Sequence, residues 1–281
     1  MKTKSLGLKL NTILVLLALT FIYLLPIYVM VVNSLKTLPE IQQRTYLALP
    51  VIPQFQNYAS ALFGSREFLI PMQRPIINSA VISISVTLLA AFFGGLGGYY
   101  LGRNRSTFAR IIFVLVGIAL YLPTQAVIIP LTTITAKSGL ANSHLGLILS
   151  YLIINLPLAS VLMGTFFLGI PRELEEAAEV DGANKVQIFF QVVTPISLPA
   201  YASVAIIIFT QVWNEFFISL TLSTPKTQTA QVAMAMTQGS TISPYHLQMA
   251  ASLLTVAVPL LIFLFLGRYF IRGILAGALK G

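Results

Sequence analysis

Six long apolar runs dominate this chain, at about residues 11–33, 76–101, 110–132, 145–168, 200–222 and 248–270. A bilayer crossing needs about 20 mostly apolar residues. Lipid offers the backbone no hydrogen-bond partner, so a crossing segment must be a helix or part of a closed barrel. These runs are continuous rather than alternating, which selects helices. Only 9% of the 281 residues are charged and the mean hydropathy is +0.86, against about 25% charged in soluble domains. The sequence therefore predicts an all-α integral membrane protein with six transmembrane helices.

Charge placement predicts the orientation. With the N-terminus in the cytoplasm, eleven of the seventeen basic residues fall on the inner side and six on the outer side. The short Arg103, Arg105, Arg110 segment is the clearest inner loop. Both termini are then cytoplasmic. The net charge of +9 is assigned to lipid headgroups and topology rather than to nucleic acid. The first run follows Lys2, Lys4 and Lys9 but is too long for a signal peptide, and it is read as a retained anchor. There is no cysteine, which excludes disulfides, thiolate zinc sites and cysteine nucleophiles. Residues 34–75 carry Pro, Gln and aromatic residues and read as an ordered external cap. Residues 223–247 read as an external Thr/Gln-rich loop. Pro26, Pro123, Pro157 and Pro259 are expected as kinks within spans. Gly94, Gly95, Gly97 and Gly98 are expected to allow close helix approach.

One polar island interrupts this pattern. Five of the eight acidic residues, Glu173, Glu175, Glu176, Glu179 and Asp181, fall within nine positions. Pro171 suits a first helical position, and the early glutamates oppose the dipole at a helix start. Ala177, Ala178 and Val180 supply a small apolar patch, and Gly182 supplies a break. A second amphipathic piece carries Ile188, Phe189, Val192 and Val193 and ends at Pro195 and Pro199. The pattern predicts helix, tight turn, helix over residues 171–199, forming a short rigid knob at the cytoplasmic surface.

Glu176-Ala177-Ala178, then three residues, then Gly182, then nine residues to Val192 and Thr194-Pro195, resembles the EAA loop of permease subunits in binding-protein-dependent ABC importers. Val192 and Thr194 stand where that pattern usually has Ile and Leu. Asp181-Gly182-Ala183 with Phe189, Asn78-Ser79, Asn155-Leu156-Pro157, Trp213-Asn214-Glu215 and the tail from Arg272 to Gly281 resemble the carbohydrate-uptake branch, in particular the smaller maltose-type permease. The resemblance implies a type I importer fold, with residues 1–281 as a single permease domain. It implies a multi-pass protein of the bacterial cytoplasmic membrane that imports a sugar or sugar-like osmolyte, such as glucosylglycerol, trehalose or sucrose. The implied partners are a second permease in a heterodimer, two ATPase subunits and an external substrate-binding protein. No cofactor is expected in this chain, since ATP and Mg would bind the ATPases. Glu175, Glu176, Ala177, Ala178, Asp181, Gly182, Ala183 and Phe189 would form the ATPase-coupling surface. The tail 272–281, through Gly277, Lys280 and Gly281, would reach between the ATPases.

Further positions are candidates for a substrate pathway. Glu215 is an acid inside a predicted span, which is costly unless paired or wetted. It reads either as a cavity-lining group, or as a structural partner of a neighbouring helix or a position near the outer interface. Trp213 reads as an interfacial anchor in preference to a sugar platform. Asn155 reads as a cap for the backbone freed by Pro157 in preference to a hydroxyl ligand. Asn214 adjoins Glu215, and Gln125 follows Pro123 by two positions. His144 and His246 lack a nearby acidic co-ligand in the sequence, so no metal site is expected. No phosphate-binding loop of the form G-x-x-x-x-G-K-[ST] occurs, and no catalytic constellation is visible. A secondary transporter would need coupling carboxylates and paired repeats. Only Glu215 is available, and no repeat is found. A lipid-modifying membrane enzyme would need converging His, Asp or Glu at one interface, which the sequence lacks.

Overall fold

The computed structural model describes residues 2–237 and 244–278. Among the described residues every regular element is helical: α1 Lys2–Ser34, α2 Leu38–Gln43, α3 Gln56–Phe63, α4 Gln73–Arg103, α5 Thr107–Ala119, α6 Thr124–Lys137, α7 His144–Leu168, α8 Glu173–Val180, α9 Lys185–Ile196, α10 Leu198–Asn214, α11 Phe217–Leu222, α12 Ala230–Met236 and α13 Tyr245–Ala278. Four uninterrupted segments are long and apolar enough to cross a bilayer: Asn11–Ser34, Gln73–Arg103, His144–Leu168 and Tyr245–Phe265. Two further pairs qualify only as bent units, α5 with α6 at 104° and α9 with α10 at 76°. Six crossings result if each bent pair is one span.

The predicted third and fifth spans are thus not continuous rods. The run 110–132 breaks after α5, where Leu120, Tyr121 and Leu122 donate to Gly117, Ile118 and Ala119 in a tightened last turn. Pro123 then sits extended at the α6 N-cap (φ −65°, ψ 134°) instead of kinking a helix from within. Its ring disfavours helical backbone at the preceding residue, which turns a kink into a stop. The run 200–222 breaks at Glu215, which is also extended (φ −71°, ψ 132°). Pro26, Pro157 and Pro259 do lie inside helices, as expected.

The chain divides into two compact units, residues 1–73 with 233–256, and residues 74–232 with 257–281. In the first unit, the segment after α1 is folded back by side-chain bonds. Asn57 Nδ2 donates to the Ser34 and Lys36 carbonyls at 2.8 Å each, and Asn33 Nδ2 donates to the Tyr46 carbonyl at 2.8 Å. Lys36 is fully buried, its ammonium donating to Asn33 Oδ1 and the Thr45 carbonyl. Burial pushes its pKa below the ordinary lysine range, with Glu40 partly offsetting the shift.

In the second unit, α4 and α7 pack at backbone distance. A methyl added at Gly98 would lie 2.6 Å from the Gly164 nitrogen and the Ser160 carbonyl oxygen, and one at Gly94 would lie 2.5 Å from the Ala159 Cβ. Only glycine permits this approach. Gly97 is looser, with Ser160 Oγ at 3.3 Å. Around that contact a core of Val86, Ala90, Tyr151, Met163, Phe167, Phe189 and Ile208 is fully or nearly buried.

Candidate functional site

The polar island folds as helix, turn, helix. Arg172 is the N-cap of α8, so Pro171 lies just before the helix rather than at its first position. Glu173, Glu175 and Glu176 occupy the first turn, where the helix dipole favours negative charge. Asp181 ends the helix and Gly182 follows at φ +87°, a backbone region that a side chain disfavours. Asn184 restarts the chain through a capping box. Its Oδ1 accepts from the Val186 and Gln187 nitrogens at 3.0 Å, and Gln187 Oε1 accepts from the Asn184 nitrogen at 2.8 Å. A π-turn over Ile188–Val193 then turns Ile188, Phe189 and Val193 into the core.

The eight residues expected to form the coupling surface divide into two groups. Glu176, Ala177, Asp181 and Gly182 are exposed. Val180 and Val186, exposed at 88% and 65%, add an apolar tip; Val180 belongs to the small apolar patch read from the sequence, and Val186 extends it. Glu175, Ala178, Ala183 and Phe189 turn inward. Ala178 and Ala183 pack on the core, and Phe189 is 4% exposed with its ring 5.1 Å from that of Tyr99. Glu175 is clamped by two residues of α4: Arg103 pairs with Oε1 at 2.6 Å, and the Tyr99 hydroxyl donates to Oε2 at 2.7 Å. Arg103 also donates to the Ile170 carbonyl at 2.8 Å. The sequence marked Arg103 only as a topogenic charge, because nothing in the chain order pairs it with a residue 72 positions on.

A second feature of the same unit is a cavity of about 410 Å³ lined by α5, α6, α7, α10 and α11 residues. Its polar lining comes from Thr124, Tyr151, Asn155, Gln211, Asn214 and Glu215. Glu215 is placed at the cavity and at a helix start at once. It lines the cavity, and its carboxylate caps the start of α11. Oε1 accepts from the Phe217 and Ile218 nitrogens at 2.9 and 3.1 Å, while Oε2 accepts from Ile218 at 3.0 Å and from the Tyr151 hydroxyl at 2.9 Å.

Of the other pathway candidates, Asn155 and Asn214 line the cavity. Asn155 Nδ2 donates to the Tyr151 carbonyl at 2.8 Å. Pro157 would free the carbonyl four positions back, at Ile153, so Asn155 does not cap that group. Gln125 is exposed on the first turn of α6 and is not a lining residue. Trp213 is placed as neither anchor nor platform. It is 1% exposed and stacks on Phe209 at 5.6 Å, because the α10 face it occupies points into the core. Gln211 and Tyr151 were missed. Gln211 sits one helical turn from Glu215, a spacing that could have flagged it.

His144 and the Asn78-Ser79 pair serve a belt that fixes residues 226–230. Asn78 Nδ2 donates to the Lys226 and Gln228 carbonyls, Asn78 Oδ1 lies 2.9 Å from His144 Nε2, and Ser79 Oγ accepts from the Ala230 nitrogen. His246 lies 3.6 Å from Glu67. Among the described residues no three His, Asp or Glu side chains converge. Of the tail candidates, Gly277 is at the end of α13, and Lys280 and Gly281 lie outside the described residues.

Bent helices, a half-buried acidic knob and a polar-lined cavity set the frame in which comparison with known proteins gives the class, a transport permease. Residues 94–276 match the family described as binding-protein-dependent transport system inner membrane component, and the chain belongs to that family. It is 35% identical over 271 residues to the glucose import system permease protein GlcU of Saccharolobus solfataricus, covering 94% of this chain and 92% of the relative. It is 31% identical over 280 residues to the osmoprotective compounds uptake permease protein GgtD of Synechocystis, covering 97% and 92%. Its fold matches a chain in the crystal structure of a bacterial ABC transporter that imports the acidic polysaccharide alginate, with a TM-score of 0.79, 20% identity and 96% and 98% coverage. The fold is that of type I ABC importer permeases.

Proposed function

We propose that this chain is one of two permease subunits in an ATP-driven importer of a neutral, hydroxyl-rich solute, a sugar or a sugar-like osmolyte. The names of its relatives support that class, since one imports glucose and another takes up osmoprotective compounds. Glucosylglycerol, trehalose and sucrose are the first substrates to try. A second permease completes the path, two ATPases bind ATP and Mg, and an external binding protein delivers the solute.

The knob over residues 171–199 is the observation that carries this reading. Its outer surface is exposed while its inner side is tied by an ion pair, a phenol bond and buried aromatic packing. A lever must be stiff at both ends, because a loose loop would absorb the motion delivered to it. In this reading the knob, both termini and the 272–281 tail are cytoplasmic, and residues 34–75 are external. The cavity with Asn155, Asn214 and Glu215 is this subunit's share of the path.

The test is to purify the tagged chain from its native membrane, identify what accompanies it, and reconstitute the assembly in vesicles. Uptake of labelled glucosylglycerol, trehalose or sucrose that requires both ATP and the binding protein is the expected result. Uptake that continues without ATP on a proton gradient would establish a self-contained secondary transporter instead.

A further inference from the structure

Glu215 is the single charged side chain among the described residues lining the cavity, which contains no lysine, arginine or histidine. Among the described residues no cation lies within ion-pair distance of its carboxylate. Its acceptor capacity is also committed. Two backbone nitrogens and the Tyr151 hydroxyl make four contacts with its two oxygens, and a carboxylate offers about four lone-pair sites. Little remains with which to grip a solute hydroxyl. What the group still projects into the cavity is its field, which low-dielectric walls screen less than open solvent does. The neutral work of holding hydroxyls falls to Asn155, Gln211, Asn214 and Thr124, whose amides and hydroxyl can both donate and accept.

We propose that Glu215 makes this cavity a charge filter that admits neutral polyhydroxylated solutes and turns away anionic ones, such as uronic or sulfonated sugars. The cavity's place in a transport path rests on the function proposed above, but its selectivity is a property of this chain alone. Glu215 acts without touching the solute, so it is a specificity-determining residue and not a ligand.

The absence of cysteine allows a direct test that needs neither transport nor a binding protein. Ala119→Cys places one thiol in the cavity wall. The full chain in lipid nanodiscs at low salt is treated with two methanethiosulfonates of similar size, one bearing trimethylammonium and one bearing sulfonate. Each rate is divided by that reagent's rate on a small free thiol. The thiolate fraction is common to both reagents and cancels in their ratio. The expected cation-to-anion ratio is about tenfold or more, falling to within about threefold of unity when Glu215→Gln is added.

A ratio near unity with Glu215 present overturns the proposal, as does a high ratio that survives Glu215→Gln. Because the glutamine could also disturb the α11 cap, Tyr151→Phe serves as the second variant. It removes one donor and keeps the charge, so the ratio must persist. A collapse equal to that of Glu215→Gln would make the effect structural and defeat the filter. Failure of ATP-dependent uptake would sink the proposed function while leaving this ratio untouched, so the two claims fail separately.

Discussion

Glu175 shows how a residue's partners change the meaning of its charge. In chain order it is one of five clustered acids. In space it is an internal strut, with its side chain 16% exposed and its partner Arg103 11% exposed. Breaking a buried pair by removing one partner strands the other charge and costs about 3–5 kcal/mol, whereas replacing both by apolar groups costs much less. Glu175→Leu and Arg103→Met should each lower the melting temperature of the purified chain, and the Glu175→Leu/Arg103→Met double variant should recover part of the loss. Strict additivity in that double-mutant cycle, read by thermal unfolding in detergent, would rule out the strut. Glu179 and Lys185 are the control. That pair spans 3.1 Å, but its side chains are 49% and 86% exposed, and such surface pairs contribute about 0–1 kcal/mol. Glu179→Ala should leave the melting temperature nearly unchanged.

At the scale of elements, the turn between α8 and α9 depends on one backbone angle. Nothing lies within 4 Å of a methyl added at Gly182, yet its φ is +87°. Any effect of Gly182→Ala is therefore conformational, costing about 1 kcal/mol. Gly182→Asn should cost less, because asparagine tolerates positive φ. Amide exchange over residues 173–187 is the measurement, with faster exchange expected in the alanine variant than in the asparagine variant. Equal exchange in all three proteins would remove Gly182 from the account of the knob's stiffness. This turn was readable in advance because its signals are local: a row of acids, a glycine and flanking prolines. The break at Glu215 was not, since no Pro or Gly marks it. It exists because a carboxylate reaches two backbone nitrogens ahead of it and a tyrosine on another helix. The break at Pro123 was visible only as a kink, because hydropathy runs smoothly across it and cannot distinguish a bend from a stop. The inward half of the coupling segment was hidden for a similar reason: helical periodicity over eight residues cannot say which face a distant arginine will claim.

At the scale of the whole molecule, the open quantity is how often the chain crosses the bilayer. Helix α7 has 25 residues and rises about 1.5 Å per residue, more than the ~30 Å hydrocarbon core requires. Its two flanks must then lie on opposite sides, with Lys137 and Ser138 before it and the knob after it. The α5–α6 pair, bent by 104°, is the ambiguous element, because it could cross or could enter and return. Basic residues argue for crossing: Arg103, Arg105 and Arg110 gather at one end and Lys137 alone at the other. Single cysteines at Arg105, Ser138 and Val180, all exposed positions, separate the two cases with a membrane-impermeant maleimide. With a crossing pair and the proposed cytoplasmic knob, Arg105→Cys and Val180→Cys react only in inside-out vesicles and Ser138→Cys only in intact, right-side-out cells. With a re-entrant pair, the thiols at 105 and 138 would react from one side and that at 180 from the other. The knob and the α4–α5 turn would then face different compartments. That outcome cannot coexist with the 2.6 Å contact between Arg103 and Glu175, so the geometry of one ion pair already commits the bent pair to crossing.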